Sequence, residues 1–199
     1  MPELIDRGHF HNLARLDAGE VTARVPVTYL DQAQSYSLDI LDSRCLISPG
    51  EYKVSTQDGF PPLHEYFHLF AVHYLLTGQN VEPKNEWISE KDLPGGVTFF
   101  RGPHEIPTSL ITEKVGDSLE SFHLLCQKRG GTPLDMADSA YTFQVTKKIP
   151  VAVLYWLGDE DFPAEVKLLF DRSLNSHFAL DIVYALAVGL CEELGNTPL

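Results

Sequence analysis

Cysteine is scarce in this sequence of 199 residues: Cys45, Cys126 and Cys191 are odd in number, far apart, and include no CxxC pair. That spacing offers neither a disulfide framework nor a zinc or iron–sulfur cradle, and it leaves reduced thiols as the expectation. Positive charge is scarce as well. Fifteen Lys and Arg stand against 28 Asp and Glu, a formal charge of -13, so a nucleic-acid backbone or an anionic membrane surface would be repelled. No apolar run reaches the roughly 18 to 20 residues that span a bilayer, and the opening MPELIDRGHF has neither an apolar signal core nor a small-residue cleavage site. Repeats, low-complexity tracts and long charge blocks are absent too. These absences argue against nucleic acid and membrane as partners and set the expectation of a soluble cytoplasmic protein.

What is present is ordinary globular composition, 44% hydrophobic and 22% charged. It predicts a single domain over residues 1–199, with one place near residue 60 where an N-terminal helix and meander could divide from a helix-rich part. Leu13, Leu16 and Val21 recur at helical spacing between His9 and Ala23, although Gly19 weakens that helix. From Ser35 the pattern turns strand-like. YSLDIL sets Tyr36, Leu38 and Ile40 on one face, CLI follows Asp42-Ser43, and EYKV follows Pro49-Gly50, which together predict an antiparallel meander. Pro61-Pro62 and Gly78 bracket PPLHEYFHLFAVHYLLTG as a helix, apolar nearly all round and therefore buried on several sides.

Further on, VTFF has the length and aromatics of a strand beyond the turn Leu93-Pro94-Gly95-Gly96, and Ser109 to Arg129 reads as one or two helices ended by Gly130-Gly131. IPVAVLYWL and VKLLFD, separated by the polar GDEDFPAE, predict a buried hairpin. HFALDIVYALAVGLCEEL predicts a long closing helix. Strands clustered in hairpins, with helices between, favour an α+β fold over a doubly wound sheet.

One motif carries explicit chemistry. His64-Glu65-Tyr66-Phe67-His68 is a literal H-E-x-x-H on the predicted helix. Spacing of four puts both imidazoles on one helix face, where His64 and His68 could share a zinc ion and Glu65 could act as general base on its water. His73 lies roughly opposite on the helix, which leaves Glu86 in NEWISE as the third ligand. Locally this is similar to the thermolysin-type zinc peptidases, whose second helix carries an N-E-x-x-S-D-like motif. Pro83 and the LPGG turn bracket NEWISE too closely for that long second helix. Chance competes, since about 2% of shuffled chains of this composition contain H-E-x-x-H. The bland alternative places His64 and Glu65 in a solvated first turn, with Glu65 favoured by the helix dipole.

Arg101, just past VTFF, together with Asp171 at the end of LLFD and His177 beyond it, could orient an anionic or polar ligand at strand ends, or simply form turn caps and ion pairs. The GDEDFP acids read as solvated rather than as a calcium site.

Several segments in order, LDAGEV, YSLDIL, AVHYLL, WISEKDLPGG, PVAVLYWLGDEDFP and KLLFDRS, followed by the closing helix, resemble the family catalogued as domain of unknown function 3786 from anaerobic bacteria and archaea. The resemblance runs from about Leu16 to Leu194. It implies an accessory or ligand-binding role near corrinoid, one-carbon or redox enzymes of anaerobes, and it makes the H-E-x-x-H peculiar to this chain. Three functions stay open: a binding protein for a small molecule or protein partner with no cofactor; a zinc hydrolase using His64, His68, Glu86 and Glu65; and an interaction module without a pocket. They differ in whether three ligands converge, an apolar pocket forms, or an apolar patch lies bare.

Overall fold

The computed structural model describes residues 4–199. Two helices open the described chain, α1 (Arg7–Ala14) and α2 (Ala18–Arg24), where the sequence pattern predicts one. The break falls at Asp17, whose carboxylate accepts the Glu20 N–H at 3.0 Å and starts a new helix, while Gly19 is tolerated inside it. Asp6 caps α1 in the same way through the Gly8 N–H.

The expected meander is present and gains one strand. β1 (Thr28–Leu30), β2 (Ser35–Ile40), β3 (Ser43–Ser48) and β4 (Lys53–Thr56) pair antiparallel in chain order. Tyr36, Leu38 and Ile40 are all buried, as their alternation requires.

α3 (Glu65–Thr77) starts later than the proline pair suggests. A residue before proline is pushed out of the helical region, so Phe60 and Pro61 stay outside and His64 becomes the cap. Gly78 closes the helix as expected, with φ -55° rather than a left-handed turn. Its need is steric: a Cβ there would stand 2.4 Å from the Tyr74 carbonyl oxygen and 2.5 Å from Val25 Cγ1.

The middle of the chain runs through β5 (Trp87–Ile88), the single turn α4 (Gly96–Phe99), α5 (Ser109–Val115) and α6 (Leu119–Lys128). VTFF is therefore helical and not a strand. Gly95, at φ +82°, turns the chain, and Gly96 packs so tightly that a Cβ would meet the Glu90 carbonyl oxygen at 1.9 Å.

The second sheet is antiparallel in the order β5-β9-β8-β7-β6, from β6 (Thr132–Leu134), β7 (Ser139–Thr146), β8 (Ile149–Trp156) and β9 (Glu165–Asp171). β8 and β9 are the expected hairpin; β6 and β7 have no counterpart in the sequence expectations. α7 (Leu180–Gly195) is the expected closing helix and packs on α3 at Gly189, where a Cβ would stand 3.1–3.2 Å from the Phe67 ring. The fold is α+β. One apolar core runs from Phe10 to Leu194 through both sheets, and the Leu41 N–H reaches from the first sheet to the Val145 carbonyl of the second at 2.9 Å.

Candidate functional site

His64 sits one residue ahead of α3 in extended conformation (φ -60°, ψ 146°). Its Nδ1 accepts the Tyr66 N–H at 3.4 Å, and its own N–H donates to Glu193 Oε1 at 2.8 Å. The same Glu193 is ion-paired to Arg129. As a cap, His64 has its Nδ1 committed to the helix's own Tyr66 N–H. Glu86 is held elsewhere, with Oε2 2.6 Å from Arg172 Nε and its carbonyl accepting the Arg172 N–H at 2.9 Å. Among the described residues no three His, Cys, Asp or Glu side chains converge to hold a metal ion. The residues do not fit the three-ligand zinc site with Glu65 as base.

Asp171 does lie at a strand end, but both its oxygens are spent. They accept N–H groups from Lys84 (2.9 Å), Asn85 (2.7 Å) and Ser173 (2.9 Å). Burial alone would raise its pKa, yet these hydrogen bonds outweigh burial and hold the carboxyl below the ordinary carboxylate range. His177 is buried nearby, with Nδ1 accepting the Gln79 N–H at 3.2 Å; burial, aided by Lys148 and opposed by Asp171, pushes its pKa down. Its Nε2 is buried without a hydrogen-bond partner among the described residues. Arg101 follows a helical turn and not a strand. Its side chain is exposed, and no hydrogen bond or ion pair joins it to Asp171 or His177. The structure thus brings Asp171 and His177 together as a buried structural centre and leaves Arg101 apart.

Two residues of the H-E-x-x-H do share a cavity. A pocket of about 260 Å³ opens between α1, the turn before β4, and α3, with Glu65 and His68 on its α3 side. Leu4, Ile5 and Phe10 form one wall, and Tyr52 and Val54 the other. α1 is fixed over α3 by the buried Phe10 and Leu13 and by the His9 ring, 4.4 Å from that of His73. Tyr52 is unusual: it holds a left-handed backbone (φ 53°) and is 46% exposed, with its ring edge-on to Phe10 at 6.2 Å and the Arg7 guanidinium 5.6 Å above it.

The polar end of this pocket is His68. Burial pushes its pKa below the ordinary histidine value, the Glu65 carboxylate opposes the shift and His64 adds to it, so at neutral pH the imidazole is uncharged. Its Nε2 is buried and has no hydrogen-bond partner among the described residues. A buried polar atom left so is costly by about 1–3 kcal/mol. Sequence reasoning singled out Glu65 and His68 for the wrong geometry and passed over Phe10, Tyr52 and Val54. Their apolar types carry no chemical signature, and only the tertiary packing assembles them.

The fold and pocket together define an α+β protein with a small open cavity that sets apolar walls from α1 and the turn at Tyr52 against Glu65 and His68 of α3. The family model described as Domain of unknown function (DUF3786) matches residues 17–193, and the chain belongs to that family. No curated protein and no solved structure matches it. Tyr52, Val54, Glu65 and His68 lie inside the matched span, whereas Leu4, Ile5 and Phe10 precede it.

Proposed function

We propose that the chain is a non-catalytic binding protein whose pocket between α1 and α3 takes a small, mostly apolar molecule that presents one hydrogen-bonding group to His68. The observation that carries this reading is the cavity itself, walled by Leu4, Ile5, Phe10, Tyr52 and Val54, with Glu65 and His68 as its polar side chains. Tyr52 supports it, because an exposed aromatic held in a strained backbone at a pocket rim is poorly accounted for by stability alone. Small apolar cavities with one polar group bind by shape and a single directional contact, a mode that fits the accessory role the family resemblance implies. Nothing in this reading draws on the zinc alternative, whose donors do not assemble among the described residues.

The test is a titration with 1-naphthol, an apolar ring system carrying one hydroxyl. The native chain is expected to bind it saturably at one site. His68→Phe keeps the ring and removes both nitrogens, and it is expected to weaken binding about tenfold, the equivalent of one hydrogen bond. No saturable binding, or equal affinity in His68→Phe, contradicts the proposal.

A further inference from the structure

We propose that β9 is a docking edge for an extended, basic segment of a partner protein. β5 covers only the C-terminal end of β9, pairing Trp87 with Asp171 and Ile88 with Phe170. The Arg172 N–H donates to the Glu86 carbonyl at 2.9 Å, which fixes the register. By strand alternation, the N–H and C=O groups of Phe170, Leu168 and Val166 then face this edge, while those of Leu169, Lys167 and Glu165 face β8. Past Ile88 the chain turns away at Ser89, so the edge-side groups of Val166 and Leu168 have no backbone partner.

This edge is sheltered rather than bare. The segment 89–108 stands over it and leaves a cleft of about 370 Å³ floored by Val166 and Leu168 and walled partly by Phe100 and Ile106. Val166 and Leu168 are only 3% and 2% exposed. Four edge-side backbone polar groups on the floor of this cleft therefore have no strand partner among the described residues, a situation that an added strand resolves through main-chain hydrogen bonds.

Charge selects the occupant. Glu90 and Glu105 line the cleft with no ion pair among the described residues, against one unpaired cation, Lys91, while Lys167 is held by Glu165 at 3.0 Å and lies over the Trp156 ring at 5.3 Å, so the unpaired charge of the cleft is net negative. With a net charge of -13 for the whole chain, the cleft attracts cationic segments. A second copy is disfavoured, since it carries the same -13 and antiparallel self-pairing centred on the edge would set Lys167 against its own mate.

The probe is the peptide acetyl-Lys-Val-Lys-Val-Lys-Val-amide, with amide hydrogen exchange read residue by residue. In the free protein the Val166 and Leu168 amides are expected to exchange faster than those of Lys167 and Leu169. Saturating peptide is expected to slow the first two at least tenfold. Glu105→Lys, at an exposed side chain, and Glu90→Lys/Glu105→Lys are expected to weaken binding severalfold without altering the far-UV spectrum. Unchanged exchange at Val166 and Leu168, equal binding of the Glu-Val counterpart peptide, or slowing that follows protein concentration alone overturns the proposal, the last marking self-pairing.

Discussion

Single residues in this protein reveal most where a side chain does something its type does not require. Tyr52 holds φ 53° at a half-exposed position. Tyr52→Gly removes left-handed strain of about 1–2 kcal/mol and adds about 0.5–1 kcal/mol of chain entropy, so urea unfolding is expected to stay within about 1 kcal/mol of the parent. Binding of 1-naphthol is expected to fall severalfold; loss of stability with intact binding would show that the ring is structural. Asp171 is the opposite case, a carboxylate fully committed to the fold. Asp171→Ala orphans three N–H groups and is expected to lower unfolding stability by about 3 kcal/mol. Its folded pKa lies below the unfolded value, so its contribution is complete above about pH 4 and is lost as pH falls through the folded value. His68, His73 and His177 also have depressed pKa values, chiefly through burial. Their unfolded forms take up protons first, so stability is full above about pH 6.5 and declines below it. Urea midpoints measured from pH 7.5 to 3 are expected to fall in two stages, the lower one reduced in Asp171→Ala, where the Ser89-bonded Asp92 still contributes.

Elements built on long apolar runs were legible in the sequence, and elements set by their neighbours were not. α7, α3 and the β8–β9 hairpin follow directly from runs of buried apolar residues. VTFF misleads because its aromatics suit a strand, while the close approach of Gly96 to the Glu90 carbonyl forces a tight turn that no local preference reports. The single helix expected from His9 to Ala23 fails because Asp17 is a better cap than a helix interior residue. Helix crossing also depends on contacts invisible to composition. At Gly189 a methyl group would meet the fully buried Phe67 ring at 3.1–3.2 Å. Alanine gains about 1 kcal/mol in helix propensity there, but overpacking is worth about 1–3 kcal/mol against it. Gly189→Ala is therefore expected to lower the urea midpoint, and an unchanged or raised midpoint would show that α3 and α7 are free to separate.

At the scale of the whole molecule, the continuous core ties the meander and the five-stranded sheet into one packing unit. Near-ultraviolet and far-ultraviolet signals are expected to follow a single urea transition, and two separate transitions would show that the meander melts alone. The site was only partly legible for the same reason that the core is shared. Glu65 and His68 stood out as a motif, but the pocket they line needs α1, the turn at Tyr52 and α3 to meet, and those are far apart in sequence. Among the described residues no helix is long and apolar enough to cross a membrane. The most direct measurement is a two-dimensional NMR titration of the isotope-labelled chain with 1-naphthol. A small-molecule site between α1 and α3 requires shifts at Ile5, Phe10, Val54 and His68 that saturate together, whereas shifts confined to other surfaces, or none at saturating concentration, would contradict it.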